Sequence, residues 1–510
     1  MTVTIANPLM QQLNDMVATR MGLYFPLERQ VDLERGVVSA AKEFGYNDTA
    51  SCIQWLLSST LTQNQIEVLA SHLTIGETYF FRDSATFQAL EEHILPELIR
   101  RRRGKNQQLR IWSAACATGE EPYSVAILLQ KLIGNMDGWN ISILATDINP
   151  QAIRKARLGI YNNWSFRECP LPVKDKYFSR HKNGQFEISF DVRRMVTFCY
   201  HNLAIDPYPS LASNTNAMDI ILCRNVLMYF NRDIADLALS NFSKCLVEGG
   251  WLMVSPCDIS QGSNPGLRHI NHSGAILYRK DGHLTSEIET AFPGETPFSL
   301  PIENYLSTFE PFPSLQKDAL EINRPREIPE PLAVRNEKSK PAKAPQSQYQ
   351  QAMALFTQGA YAQAEKVISS VPTDKVDARM MILLARICAN QGRLEAALHH
   401  CQKSIEVDKS NPHSRYLLAN IMQELGRVQE AIVALNQTLY LDPNFVLAYF
   451  TMGNIALRQG DVRKSQKHFE NALHLLSTRN QDDAMLGDGD ISAGRLAEII
   501  RSTIRVEKPK

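Results

Sequence analysis

Apolar positions recur at helical spacing from the start of the chain, around Leu9, Leu13, Met16 and Val17, and then through residues 31–44, 52–57 and 66–73. Each stretch gathers its apolar side chains on one face of a helix. Between residues 109 and 280 the pattern changes to short apolar runs that read as strands: LRIWSAA (109–115), ISILATD (141–147), VTFCYHN (196–202), DIILCRN (219–225), GGWLMVS (249–255) and AILYRK (275–280). Helical patterns such as EEPYSVAILLQKL and NPQAIRKARLGIY follow several of them, the latter with Asn149 placed to cap its amino end and Pro150 at the first helical position. Strands alternating with helices predict an α/β domain with a parallel, doubly wound sheet. In such sheets a ligand lies at the carboxyl ends of the strands.

Further on, the sequence repeats itself. Gly359, Gly392, Gly426 and Gly460 lie 33, 34 and 34 residues apart. The same period links Ala385, Ala419 and Gly453, and also Ala397, Ala431 and Ser465, with Cys401, Leu435 and Phe469 four positions beyond the last column. Small residues where two helices touch, on a 34-residue period, resemble the tetratricopeptide repeat. Three full repeats and a partial one before them are expected over residues 346–479, followed by one closing helix and a frayed end. Stacked repeats form a groove for a peptide or a protein surface and carry no chemistry of their own. Ten of the 25 prolines fall between residues 285 and 346, which reads as an extended linker. The expected divisions are a helical domain (1–80), an α/β domain (81–283), a Pro-rich linker (284–345), the all-α repeat array (346–480) and a tail (481–510).

Composition narrows the function. The 510 residues carry 54 Lys plus Arg and 54 Asp plus Glu, so the net charge is zero, which argues against a global grip on nucleic acid or an anionic membrane. Recognition is left to local patches. Arg100 to Arg103 with Lys105 form the densest one, which reads alternatively as a solvated helix end favoured by the dipole, and Arg20, Arg29, Arg35 and Lys42 mark the helical domain. Nine cysteines without a CxxC pair or zinc-finger spacing suit a reduced, cytoplasmic protein with no metal site. No signal peptide or apolar run of membrane-spanning length is read.

The strand-to-helix turn WSAACATGEEPYS (112–124) keeps small residues around a single Gly119, so backbone can approach a ligand. It lacks GxGxxG, which counts against a dinucleotide, and Glu120 and Glu121 at the helix start repel phosphate. A cationic or hydroxyl-bearing ligand fits better, although Glu121 alone also reads as a first-turn helix carboxylate. Asp147 at the end of the second strand suits ribose hydroxyls or, alternatively, a helix cap. Arg224 and Asn225 leave the fourth strand together and face either a ligand or the loop itself. Upstream, Thr78 and Arg82 are four apart among Phe80, Phe81 and Phe87. On one helical turn they would share a face, with Arg82 a ligand clamp or a stacked structural residue.

The motifs FFRD, SAACATGEEPYS, ATDI, KARLGIY, HNL and ILCRNVLMYF, in this order and spacing, resemble the CheR family, the chemotaxis receptor protein-glutamate O-methyltransferases, over roughly residues 10–280. The resemblance implies an S-adenosylmethionine-dependent methyltransferase fold, a helical N-terminal domain that recognises acidic receptor helices, and a short β-subdomain around residues 180–200. It implies that Thr78 and Arg82 approach the methionine end of S-adenosyl-L-methionine, that Glu121 contacts it from the turn, and that Asp147 holds the ribose. Asn202, Leu203, Arg224 and Asn225 would surround the adenosine and the reacting end, with Arg82 and Tyr229 beside the methyl group. Two departures stand out. The family often has Asn where this chain has Gly76, and the single Gly184 argues against a glycine-rich loop for tethering a receptor's C-terminal pentapeptide. The expected product is S-adenosyl-L-homocysteine. The expected substrate is a chemoreceptor-type transmembrane or soluble signalling protein, with a protein or peptide partner for the repeats and no nucleic acid or direct membrane insertion. The competing reading is a methyltransferase-like scaffold that holds cofactor and acts mainly through its repeats. Amide-nitrogen methylation is disfavoured because the fourth strand ends in CRNV, not in Asn or Asp followed by Pro-Pro and an aromatic residue.

Overall fold

The computed structural model describes residues 7–281, apart from 60, 106, 212, 259–265 and 273, and residues 347–507, apart from 373–375 and 486–490. The expected linker lies outside the described residues. Four helices open the chain: α1 (Asn7–Met21), α2 (Gln30–Glu43), α3 (Thr49–Ser58) and α4 (Gln63–Leu73). Their apolar faces meet in one core that includes Leu13, Leu33, Ile53 and Leu69.

The α/β region follows. It contains β1 (Gln108–Ala114), β2 (Asn140–Asp147), β3 (Ile160–Tyr161), β4 (Phe178–Arg180), β5 (Phe186–Ile188), β6 (Val196–Tyr200), β7 (Met218–Leu222), β8 (Leu246–Val254), β9 (Leu267–His272) and β10 (Ala275–Lys280). The main sheet has the order β6-β2-β1-β7-β8-β10-β9, parallel from β6 to β8 and antiparallel at β10 and β9. β1 is buried throughout, as a central parallel strand covered on both faces must be. The order reverses between β1 and β7, so the crevice at their carboxyl ends is the switch point where such sheets take ligands.

Three expectations are corrected here. The small β-subdomain is the sheet β3-β5-β4, within residues 160–188 and not around 180–200, and β6 belongs to the main sheet. Strands of two or three residues are too short to leave an alternating pattern. Thr78 and Arg82 do not share a helical turn, because residues 75–83 carry no helix and Phe81 and Asp83 adopt positive φ. Within the basic cluster, Arg102 is no solvated helix end. It is bonded to the buried Asp219 and to the Gln108 carbonyl. The antiparallel edge strand β9, with polar residues at most positions, had no sequence signal.

The repeat region forms four helix pairs, Gln348–Thr357 with Tyr361–Ser369, Ala378–Asn390 with Leu394–Val407, Pro412–Glu424 with Val428–Leu441, and Val446–Arg458 with Val462–Leu476. The first pair, expected as partial, is complete but short. Gly359, Gly392, Gly426 and Gly460 each turn the chain between paired helices at φ 74–79, a conformation that costs glycine little. The small column permits close approach: a Cβ at Gly453 would meet the Phe469 ring at 2.5 Å. A closing helix, Ala493–Glu507, follows.

The repeats pack against the amino ends of the strands. Gln108 and Asn140, the first residues of β1 and β2, both donate to the Glu424 carbonyl at 2.7 Å. The Glu424 carboxylate accepts from Asn216 at 2.9 Å and faces Arg110.

Candidate active site

After β1 the chain reverses through three left-handed residues, Ala115, Ala117 and Gly119. Only glycine suits the last position, where a Cβ would come within 2.8 Å of the Ala156 Cβ and 3.2 Å of the Phe198 ring. The reversal aims the turn at the end of β2. There Asp147 accepts the Ala117 N–H and the Asn149 N–H, each at 2.8 Å. Asn149 in turn caps the helix Pro150–Leu158 through its side chain. Asp147 therefore ties two loops together, and because a carboxylate offers about four acceptor sites, capacity remains for hydroxyl donors in the cleft.

Arg224 is the hub of the other side. Its buried guanidinium donates to Glu121 at 3.1 Å, to the Arg82 carbonyl at 2.7 Å and to Asp83 at 3.2 Å, with its side chain 2% exposed. Glu121 is also held by Ser113 at 2.7 Å. The beginning of the helix Glu120–Ile133, the segment before the helix Ser84–Ala89 and the end of β7 are thus locked by one planar donor, a geometry that lysine cannot copy. Neighbouring Glu120 is buried and bonded to Thr118 and Ser165, so it braces the β-subdomain and does not face the cleft. Burial pushes its carboxyl above the ordinary value, partly offset by those hydrogen bonds.

These elements enclose a cleft of about 250 Å³. Thr78, Arg82, Glu121, Asp147, Asn202, Leu203, Arg224, Asn225 and Tyr229 all line it. The side-chain amide of Asn202 is occupied elsewhere, donating to the Arg20 carbonyl at 2.8 Å and accepting from Ala204. Gly76 lines the cleft with open space where a side chain would project.

Several lining residues had no sequence signal. Met21, Leu23 and Phe25 cross from the helical domain, with Tyr24 N–H donating to the Tyr229 carbonyl at 2.7 Å. Arg29, read above as part of a basic surface, also lines the cleft and lies over the Tyr229 ring at 4.8 Å and Phe25 at 5.5 Å. Asp258, beyond β8, receives the N–H groups of Asn225, Val226 and Met228 at 2.6–3.0 Å, shaping the loop that presents Tyr229. A lone Asp after a strand gives no hint of that task. Its proximity to Asn225 arises from the β7-β8 pairing.

Burial sets the charge states. The Asp147 carboxyl is raised to about 6 by desolvation, against the pull of its backbone donors. Desolvation lowers His201, with Asp206 opposing, and raises Cys116 well above its ordinary value, so both are neutral near pH 7.

A cleft at the switch point, holding an acid for hydroxyl groups and lacking a pyrophosphate cradle, fits the nucleoside cofactor of a doubly wound α/β methyltransferase. Comparison with known proteins agrees. The model described as CheR methyltransferase, SAM binding domain, matches residues 76–271, and that of the anaphase-promoting complex, cyclosome, subunit 3, matches residues 358–438. The chain is 29% identical over 272 residues to the chemotaxis protein methyltransferase of Borreliella burgdorferi, covering 53% of this chain and 94% of that one. It is 30% identical over 258 residues to that of Listeria innocua, covering 50% and 92%. Among solved structures, that of MamA covers 26% of this chain and 77% of its own at 21% identity and a TM-score of 0.24. The chain belongs to the CheR family of methyltransferases, and its methyl donor is S-adenosylmethionine. Among the described residues no helix is long and apolar enough to cross a membrane.

Proposed function

We propose that this protein methylates glutamate side-chain carboxylates of a chemoreceptor-type signalling protein, giving glutamyl methyl esters, and that its repeats bind a protein partner. The observation that carries the reading is a cleft at the switch point in which Thr78, Arg82 and Tyr229 meet Glu121 and Asp147, in a chain of the CheR family. Such a site suits alkylation of a group that is already an anion. A glutamate carboxylate is ionised at neutral pH, so the reaction needs no general base.

When bound, S-adenosylmethionine supplies a methyl group whose bond to sulfur breaks as the bond to the carboxylate oxygen forms. The chain's own residues supply position and dryness. Asp147 accepts ribose hydroxyls, and Asn202, Leu203 and Asn225 line the adenosine side. Glu121, fixed by Arg224 and Ser113, sits at the turn and favours a cationic ligand. Arg82 orients the incoming carboxylate, with Thr78 and Tyr229 beside the reacting end. Met21, Leu23, Phe25 and Phe230 form apolar walls that exclude water, which favours a step in which opposite charges cancel. The reading implies a cytoplasmic enzyme, in keeping with nine unpaired cysteines.

Incubation with methyl-labelled cofactor and receptor-bearing membranes should yield label that alkali releases as methanol; alkali-stable label on the receptor would overturn the glutamate assignment. A second expectation follows from Asp147. Hydroxyl donors favour its ionised form, so cofactor binding lowers the raised pKa and releases a proton. Calorimetric affinity should be flat above about pH 7 and weaken by up to about tenfold per unit below pH 6. In Asp147→Asn the affinity should be weaker throughout and this slope absent.

A further inference from the structure

A second cavity, of about 910 Å³, lies between the repeats and the catalytic sheet. One wall is the edge strand β6, the opposite wall is formed by the helices Pro412–Glu424 and Val446–Arg458, and the closing helix Ala493–Glu507 contributes Leu496, Ile499 and Thr503. His201 lines this cavity and the cofactor cleft alike. The methyl transfer proposed above makes no use of it.

Three polar side chains line the cavity with hydrogen-bonding capacity to spare: Asn420 is buried, Asn454 half-buried and Arg458 exposed. Asn420 and Asn454, one repeat apart, both line it, and neither amide hydrogen-bonds to a described residue. Asn420 is only 5% exposed. A buried amide without a partner costs free energy that a ligand can recover. The third is Arg458, which bonds to Gln423 and meets no carboxylate among the described residues.

The other charged groups of the cavity are accounted for. Arg110 faces Glu424, Arg193 pairs with Glu187, Arg194 with Asp191, and Arg157 donates to the Phe198 carbonyl. Asp206 is taken by Arg495. With these groups partnered, Arg458 is the cation of the cavity that meets no carboxylate among the described residues, so the charge it can receive is an anion's. Amides repeated at a fixed period offer one donor and one acceptor face each, which matches the N–H and C=O of an extended chain. Phe450, Ile455 and Val428 add apolar surface for its side chains.

We propose that this cavity binds an extended acidic peptide segment, with Arg458 receiving a carboxylate and Asn420 and Asn454 the peptide backbone. The proposal rests on the reading that the repeats bind a protein partner, and adds the partner's chemistry and a second wall supplied by the catalytic domain.

The test uses the full chain and a fluorescent, amidated hexapeptide alternating glutamate with valine, beside its lysine counterpart. Saturable binding of the glutamate peptide alone is expected, weakened about tenfold or more by Arg458→Gln and by Asn454→Ala, and largely retained by Arg458→Lys. Thermal melts check that each variant folds. No saturable binding, equal binding of the lysine peptide, or full affinity in folded Arg458→Gln and Asn454→Ala overturns the proposal. A benzophenone version of the peptide locates the site independently of any variant. Cross-links to β6 and to residues 420–458 support it. Cross-links elsewhere on the repeats overturn the cavity but leave the repeats as the binding module, and cross-links confined to residues 7–281 away from β6 overturn both.

Discussion

Replacing Arg224 by Met should abolish measurable cofactor binding and destabilise the protein by about 3–5 kcal/mol, the cost of removing one partner from a buried charge network. Methionine fills much of the volume but leaves Glu121 and Asp83 without their guanidinium and the Arg82 carbonyl without its donor. Glu121 then keeps only Ser113, and the segment carrying Thr78 and Arg82 loses its tie to β7. Arg224→Lys should recover little, because an ammonium cannot span three acceptors in one plane. Calorimetry with S-adenosylmethionine and urea denaturation read the two effects separately. Ordinary affinity and stability in Arg224→Met would show that the network does not organise the cleft. Arg224 lines the cleft, and its bonds also make it a positioning residue that acts through Glu121 and Arg82.

The second large effect is expected from the other end of the chain. Arg495, on the closing helix, grips Asp206 with two nitrogens, at 2.5 and 3.0 Å, and also reaches Gln63 of α4 at 2.7 Å. Asp206 is 1% exposed at its side chain and receives the Asn202 N–H at 2.6 Å, so the pair fixes the loop that carries His201, Asn202 and Leu203 into the cleft. Burial alone would raise the Asp206 carboxyl, but Arg495 and His201 outweigh it and hold it below its ordinary value. A depressed carboxylate pKa contributes stability above the unfolded pKa and loses it on acidification through the folded one.

Arg495→Ala should therefore cost about 3–5 kcal/mol at pH 7, with the deficit shrinking as pH falls below about 4. Cofactor affinity should fall about tenfold, because the Asn202 loop loses its anchor. Adding Asp206→Asn should restore part of the stability, since no unpaired charge is then buried. A wild-type unfolding midpoint in Arg495→Ala, or equal destabilisation at pH 7 and pH 3, would refute the assignment.

Much of this protein is legible in the chain. The 34-residue period set the repeat turns, because only a left-handed glycine closes each helix pair cheaply, and the helical phase around Leu13 and Leu69 set the first domain. Asn149 and Pro150 marked a helix start that the backbone adopts. Short strands escaped, since Ile160–Tyr161 and Phe186–Ile188 are shorter than any alternation that could reveal them. The segment from Thr78 to Asp83 misled helical reasoning for a different reason. Its left-handed Phe81 and Asp83 are held by distant partners, the Ser124 hydroxyl on the Phe81 N–H and Arg224 on Asp83, and neither is local in sequence.

The residue sequence by itself located the strand ends and the turn after β1 that bring Glu121, Asp147, Arg224 and Asn225 to the cleft, because these are local features written in apolar runs and small residues. Tertiary structure alone decided what those side chains do there. Arg224 braces, Asn202 is spent on Arg20, and Arg29 joins the cleft wall, since each partner comes from another element. It also decided that the repeats are no separate appendage. Glu424 and Arg495 are ordinary charges in the sequence, and only burial against β1, β2 and Asp206 makes them the ties that bind the array to the catalytic sheet.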